Sequence, residues 1–286
     1  MSQEYLSKEA ISQFIASAFV EDIGDGDHST LASIPENAES QAELLIKDNG
    51  IIAGLELAKL IFEQYDSKLL VETSASDGDP VEYGQKILKV SGSARSILSS
   101  ERLVLNCLQR MSGIATYTSQ LKQLIDGTKA QLLDTRKTTP NFRLPEKWAV
   151  SIGGGTNHRY GLYDMIMLKD NHLDFAGGIR NAIKATHDYL EKTGRQLRIE
   201  IETRNLDEVE QVMAVGGVDV IMLDNMSPEE MAIAVKRIGN KYQTEASGGI
   251  TEKTIAEVAE SGVDFISIGA LTHSVKSLDM SLKAVK

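Results

Sequence analysis

Between Arg136 and Lys169 the sequence gathers six cationic side chains, Arg136, Lys137, Arg143, Lys147, Arg159 and Lys169, against two acidic ones, Glu146 and Asp164. This local +4 stands in a chain whose formal net charge is -11. Such a set suits a small polyanion: arginine grips a carboxylate through two parallel hydrogen bonds, and lysine meets phosphate as a point charge. Within it runs Ser151-Ile-Gly-Gly-Gly-Thr-Asn-His-Arg159, where successive glycines let the backbone come close to a ligand. His158 is the one histidine of five that lies beside such a loop and an arginine. A second group of polar residues closes successive apolar runs: Lys169-Asp-Asn-His172, Glu202, Asp224-Asn225, Ser247-Gly248-Gly249 and Gly269. Polar groups at the C-terminal ends of several strands are how α/β barrels assemble their sites. Over Arg198–Glu202 the two-residue alternation places Arg198, Glu200 and Glu202 on one face, with Ile199 and Ile201 on the other.

These residues need strands to carry them. From Ala130 onward, short runs rich in branched apolar residues alternate with longer stretches of helical periodicity, which predicts repeated βα units. The predicted strands are Ala130–Asp134, Met165–Leu168, Arg198–Glu202, Val218–Leu223, Gln243–Ala246 and Val263–Ile268. Helices are predicted over Asn205–Val215, Pro228–Ile238 and Lys253–Ser261, with Ser227 and Thr251 as N-caps. Six strands fall short of an eightfold barrel. Earlier in the chain, strand-like Gln41–Lys47 and Lys68–Glu72 are separated by turn signals, and helices are predicted over Glu56–Tyr65 and Ser96–Met111. This reads as a smaller α+β domain. The boundary is drawn after residue 115, giving an N-terminal domain over 1–115 and a barrel over 116–272. A C-terminal helix over about 273–286 is expected to pack back onto the first domain.

The whole composition narrows the choices further. Over 286 residues, 42% are apolar and 25% charged, proportions of a folded globular chain. Thirty Lys and Arg against 41 Asp and Glu give a surface that repels nucleic acid and anionic membrane. The single cysteine, Cys107, excludes an internal disulfide and a multi-cysteine zinc site, as expected for a reducing cytoplasm. Met1–Phe19 interleaves Glu4, Lys8 and Glu9 with apolar residues and reads as an amphipathic helix, not a secretory signal. No phosphate-loop motif occurs, and the triple glycine is not a dinucleotide fingerprint. The acidic run Glu21–Asp27 lacks calcium-loop spacing and reads as a turn with a helix cap.

Taken together the motifs are specific. They are Glu21-Asp-Ile-Gly-Asp-Gly-Asp27, Glu101-Arg-Leu-Val-Leu-Asn106, Ser112-Gly-Ile-Ala-Thr116, Asp134-Thr-Arg-Lys-Thr-Thr-Pro140, Asn157-His-Arg159, Leu168-Lys-Asp-Asn-His172, Glu200-Ile-Glu202, Leu223-Asp-Asn225 and Glu245-Ala-Ser-Gly-Gly-Ile250. Over nearly its whole length the sequence resembles the quinolinate phosphoribosyltransferase family, departing from it at Asn141, where the family usually has glycine. The resemblance implies a small α/β sandwich followed by an incomplete, six- or seven-stranded α/β barrel. It implies transfer of phosphoribosyl from phosphoribosyl pyrophosphate to quinolinate with decarboxylation, giving nicotinate mononucleotide, pyrophosphate and carbon dioxide. By resemblance, Arg136, His158, Arg159 and Lys169 bind quinolinate, joined by Arg102 from the second subunit of a homodimer. Lys137, Glu202 and Asp224 serve the donor and its departure, the two acids also facing Mg2+, partly through water. Ser247, Gly248, Gly249 and Gly269 cradle the 5'-phosphate.

Overall fold

Alternation in Gln41–Lys47 predicts a strand with one buried face, and β1 (Glu39–Ile46) has it: Ala42, Leu44 and Ile46 are buried while Glu39 and Gln41 are exposed. The computed structural model describes residues 4–285. It comprises two units, Met1–Ser119 with Lys137–Gly154 and Ala270–Lys286, and Gln120–Arg136 with Gly155–Gly269.

In the first unit, helices α1 (Lys8–Ile23) and α2 (His28–Ser33) precede β1. Residues 1–3 of the predicted N-terminal helix lie outside the described residues, and Glu4–Leu6 is a single 3-10 turn. The acidic run is a turn and cap only in its second half: Glu21 and Asp22 end α1, and beyond the turn Asp27 caps α2, accepting from the Thr30 N–H at 3.1 Å. A two-stranded ribbon, β2 (Gly50–Ile51) with β4 (Pro80–Val81), surrounds α3 (Leu55–Tyr65) and β3 (Leu70–Thr73) in sequence. Then come β5 (Lys86–Ser93) and the long α4 (Ala94–Leu124). β1 pairs antiparallel with β5, and β5 with β3. Leu57, Ile61 and Phe62 of α3 are fully buried in this unit.

Helix α4 extends past the predicted Met111, and the two units part inside it, at Ser119. Its periodicity predicts a polar face of Arg102, Asn106, Gln109 and Gly113. Arg102 and Asn106 are exposed, but Gln109 donates to the Met280 carbonyl at 2.9 Å. Gly113 is a close approach, since a Cβ there would stand 2.3 Å from the Lys276 carbonyl oxygen. Val104, Cys107, Leu108 and Met111 fill the buried face. Burial pushes the Cys107 thiol up to about 12, so almost no thiolate forms at neutral pH. A thiol reagent should therefore label the folded protein far more slowly than the unfolded chain, and rapid stoichiometric labelling before unfolding would contradict this packing.

The second unit carries the six predicted parallel strands: β6 (Gln131–Leu133), β7 (Ile166–Leu168), β8 (Ile199–Thr203), β9 (Val220–Asp224), β10 (Gln243–Ser247) and β11 (Phe265–Ser267). Their order is β6-β11-β10-β9-β8-β7, all parallel, with Thr156 adding a one-residue bridge to Leu133. β6 and β7 are the edges, so this α/β barrel is incomplete. All five residues of β8 are buried, as expected of a parallel strand covered on both faces. Two aspartates tie neighbouring strands at their starts, Asp219 to the Ile199 N–H at 2.7 Å and Asp264 to the Thr244 N–H at 2.8 Å. The opposite rim is left for polar ends.

Helix α5 (Arg143–Ile152) belongs to the first unit, whereas α6 (Asp170–Phe175), α7 (Ile179–Thr193), α8 (Leu206–Val215), α9 (Pro228–Ile238) and α10 (Ile255–Glu260) belong to the second. At α9 the predicted cap is complete: Ser227 Oγ accepts from the Glu230 N–H while Glu230 reaches back to the Ser227 N–H. At α10 the sequence reading is corrected. The helix starts at Ile255 after Thr254, and the N–H of Thr251 is bonded to Thr254 Oγ1 at 3.0 Å within a preceding turn.

The predicted C-terminal helix over 273–286 is also corrected. Only α11 (Ala270–His273) is helical there, and β12 (Met280–Ala284) returns as a strand, antiparallel to β1 with Leu44 opposite Leu282. Met280 and Leu282 are buried and Ser281 and Lys283 are not. That is a period of two, which a strand satisfies and a helix does not.

Candidate active site

The second unit brings ten of the predicted site residues onto one unit: Arg136, His158, Arg159, Lys169, Glu202, Asp224, Ser247, Gly248, Gly249 and Gly269. Arg102 and Lys137, both exposed, belong to the first. Asp134, just beyond β6 and fully buried, organises the approach. It accepts from Asn157 Nδ2 at 2.7 Å and from the His158 N–H at 2.8 Å, pinning the Asn157-His158-Arg159 segment against the end of that strand.

Arg159 is 6% exposed; its Nη1 donates to the Met165 carbonyl at 3.1 Å. Burial, and then the charge of Arg136, hold its pKa below the usual arginine value. Arg136 keeps a buried Nε that has no hydrogen-bond partner among the described residues. The charge of Arg136 acts on Arg159, and an anion with more than one charge would offset both guanidinium groups.

His158 is buried and bonded through both ring nitrogens. Its Nε2 lies 2.9 Å from Glu200 Oε2 and 3.3 Å from Glu245 Oε2, and its Nδ1 is 2.6 Å from the Arg159 backbone nitrogen. Burial would lower its pKa, but hydrogen bonds and charge from Glu200 and Glu245 hold it up at about 10. The Arg159 contact opposes that: a proton on Nδ1 would face another N–H at 2.6 Å. Contact geometry decides for this pose, in which Nδ1 accepts and Nε2–H donates to the carboxylates. The three residues form a buried group with hydrogen-bonding atoms within 4.8 Å of one another. With Nε2 as the donor, the ring offers no lone pair toward a metal there. Both nitrogens are thus engaged, and Nδ1 holds the Arg159 backbone N–H.

At the rim, Glu202 and Asp224 stand on adjacent strands. Lys169 Nζ, on a half-exposed side chain, lies 3.6 Å from Glu202 Oε2. Burial raises the Glu202 pKa, the charges of Asp224 and Asp170 add to this, and Lys169 opposes it. Two carboxylates at adjacent strand ends offer oxygen donors that fit a hard divalent cation such as Mg2+. Beside them, Asn225 adopts φ 55°, its N–H donating to the Ser247 carbonyl at 2.8 Å and its Nδ2 to Asp224 at 2.6 Å. Gly248 has φ 93°, and a Cβ there would sit 2.2 Å from Asn225 Oδ1, so only glycine fits this turn. Near Lys137, Asn141 takes φ 60°, the left-handed conformation for which glycine is the commonest residue and which asparagine tolerates.

Comparison with known proteins agrees with these motifs. Residues 27–112 match the model of the quinolinate phosphoribosyl transferase N-terminal domain, and residues 114–283 that of its C-terminal domain. The chain belongs to the quinolinate phosphoribosyltransferase family. Among family members, the chloroplastic nicotinate-nucleotide pyrophosphorylase [carboxylating] of Arabidopsis thaliana is 48% identical over 281 residues, covering 93% of this chain and 80% of that protein. A probable nicotinate-nucleotide pyrophosphorylase [carboxylating] of Bacillus subtilis is 42% identical over 264 residues, covering 92% and 90%. The crystal structure of NadC from Streptococcus pyogenes superposes with a TM-score of 0.90 at 38% identity, covering 98% of this chain and 99% of that one.

Several of the family motifs thus map onto strand ends, while Glu101–Asn106 and Ser112–Thr116 lie within α4, but sequence reasoning left three residues without a role. Glu200 was detectable, because alternation put it on the face of Glu202. Asp134 and Glu245 lie inside quoted motifs, yet nothing in one-dimensional spacing shows that both act on the 157–159 segment.

Proposed function

We propose that this chain catalyses transfer of phosphoribosyl from phosphoribosyl pyrophosphate to quinolinate with decarboxylation, yielding nicotinate mononucleotide, pyrophosphate and carbon dioxide for NAD synthesis. The observation that carries the reading is the Arg136–Arg159 pair, with its unpartnered buried Nε. Quinolinate bears adjacent carboxylates, and these two forks with Lys169 supply matching positive charge. His158 acts behind them by holding the Arg159 backbone. Arg102 adds a further cation from the partner in a homodimer, consistent with its exposure on α4. A reducing cytoplasm suits the free Cys107.

The chemistry follows from charge. Glu202 and Asp224 would hold Mg2+, which when bound offsets negative charge on the pyrophosphate. Lys137 stabilises the same charge as the bond from ribose C1 to oxygen breaks and its electron pair leaves with pyrophosphate. The carboxylates of Glu202 and Asp224 also face the ribose as C1 becomes electron-poor. The pyridine nitrogen donates its lone pair to C1, while Ser247, Gly248, Gly249 and Gly269 keep the 5'-phosphate in place through backbone N–H groups. The positive ring nitrogen then accepts charge as the neighbouring C–COO bond breaks. Carbon dioxide departs, the electron pair stays on the ring carbon, and a proton from water completes nicotinate mononucleotide. No protein base is required for that step, and carbon isotope effects that reported proton transfer ahead of carbon dioxide loss would contradict it. The reaction itself is tested by pyrophosphate release, which should require both quinolinate and magnesium. Release that ignores quinolinate would overturn the proposal.

A further inference from the structure

Glu146 is fully buried on α5, in the first unit, and every bond of its carboxylate leads to the segment that begins at Lys137 or to Arg110 of α4. Oε1 accepts from Arg110 Nε at 3.1 Å, Arg110 Nη2 at 3.0 Å and Thr139 Oγ1 at 2.9 Å; Oε2 accepts from the Thr139 N–H at 2.9 Å. Arg110 in turn donates through Nη1 to the Val275 carbonyl at 2.9 Å and through Nη2 to the Thr272 carbonyl. Thr272 Oγ1 then donates to the carbonyl of Lys137 at 2.8 Å. The backbone is therefore tied on both sides of Thr138, at the carbonyl of 137 through Thr272 and at the N–H of 139 through Glu146, around one ion pair whose carboxylate is buried and whose guanidinium is partly exposed.

An apolar pair of the same volume would serve stability about as well as a salt bridge whose carboxylate is buried. It would leave the Thr139 N–H and two carbonyls of the 272–275 turn without partners. The pair's particular contribution is orientation. We propose that Glu146 and Arg110 are positioning residues for the reaction: acting through Thr139 and Thr272, they fix the backbone that presents Lys137 to the departing pyrophosphate. This rests on the role given to Lys137 above. Lys137 is exposed, and the direction in which its backbone leaves the loop sets where its ammonium can reach.

The test compares full-length Glu146→Gln, Lys137→Ala and the double variant in steady-state kinetics with each substrate varied, together with quinolinate affinity by calorimetry. Glutamine keeps the volume but turns an amide N–H toward Arg110. Misplacement of a catalytic group by about 1 Å costs on the order of 10²-fold, so Glu146→Gln should lower kcat/KM for phosphoribosyl pyrophosphate by about 10- to 100-fold. Quinolinate affinity should stay within about twofold, a split that general loss of structure would not produce. On the Lys137→Ala background the same change should cost less than about threefold, because the group it positions is gone. Losses that multiply, or an equal loss of quinolinate affinity, overturn the inference. Should Glu146→Gln fail to fold, Thr139→Val removes only one hydroxyl and should show the same non-additivity at about 3- to 10-fold, and wild-type kinetics in that variant would overturn the inference too. Normal donor kinetics in Lys137→Ala alone would instead refute the role of Lys137.

Discussion

Arg159→Ala should lower kcat/KM for quinolinate by about 10³-fold, because breaking a buried charge pair by removing one partner costs roughly 3–5 kcal/mol. Three contacts set this expectation. Arg159 is held by the Met165 carbonyl, its backbone by His158 Nδ1, and the neighbouring Arg136 already lowers its pKa. Loss of Arg159 leaves one quinolinate carboxylate facing Arg136 alone. Arg159→Lys should recover only a small part, since a point charge does not reproduce the two-pronged grip. Quinolinate should raise the Tm of the wild-type protein and not of Arg159→Ala, which separates lost binding from lost folding. The same pocket should reject nicotinate, whose single carboxylate leaves a buried cation unpaired, so comparable kcat/KM values for the two acids would contradict the assignment. In that event the arginine pair would be structural.

A mixed dimer of Arg102→Ala and Lys137→Ala chains should regain about half the wild-type activity although each parent homodimer is nearly inactive. Arg102 is exposed on α4 beside exposed Asn106, while Val104 and Leu108 of the same helix are buried. If Arg102 serves the partner's barrel, the mixed dimer holds one barrel with both defects and one with neither. The chain bearing Arg102→Ala keeps Lys137 and receives an intact Arg102 from its partner. Differently tagged chains, purified in sequence, give the species to be measured. A mixed dimer as inactive as its parents, with assembly confirmed, would show that Arg102 does not act in trans.

Much of the barrel is legible in the sequence because β6, β7, β9 and β11 are short, mainly apolar runs, and polar residues mark the ends of successive strands. The rim of Lys169, Glu202, Asp224 and Ser247 is therefore readable in order, and so is the capping box at Ser227. What stays hidden depends on long-range partners. Met280 to Ala284 is short, and its two-residue period becomes decisive only beside β1. Thr251 has the chemistry of a cap, but residues 251–254 form a turn and the helix starts only at Ile255. His158 stands out in the sequence through the glycine loop and arginine beside it, but its bonds to Glu200 and Glu245, 42 and 87 positions away, do not. Glu146 counts in the sequence only as an acid in a basic stretch. Its bonds to Arg110 and Thr139 make it an organiser of that stretch.

The most direct measurement is product stoichiometry with quinolinate labelled at the carboxyl next to the ring nitrogen. Purified protein with phosphoribosyl pyrophosphate and magnesium should give nicotinate mononucleotide, pyrophosphate and labelled carbon dioxide in equal amounts, and none of the three when either substrate is omitted. Pyrophosphate formed without carbon dioxide, or a nucleotide that retains the label, would contradict the assigned reaction.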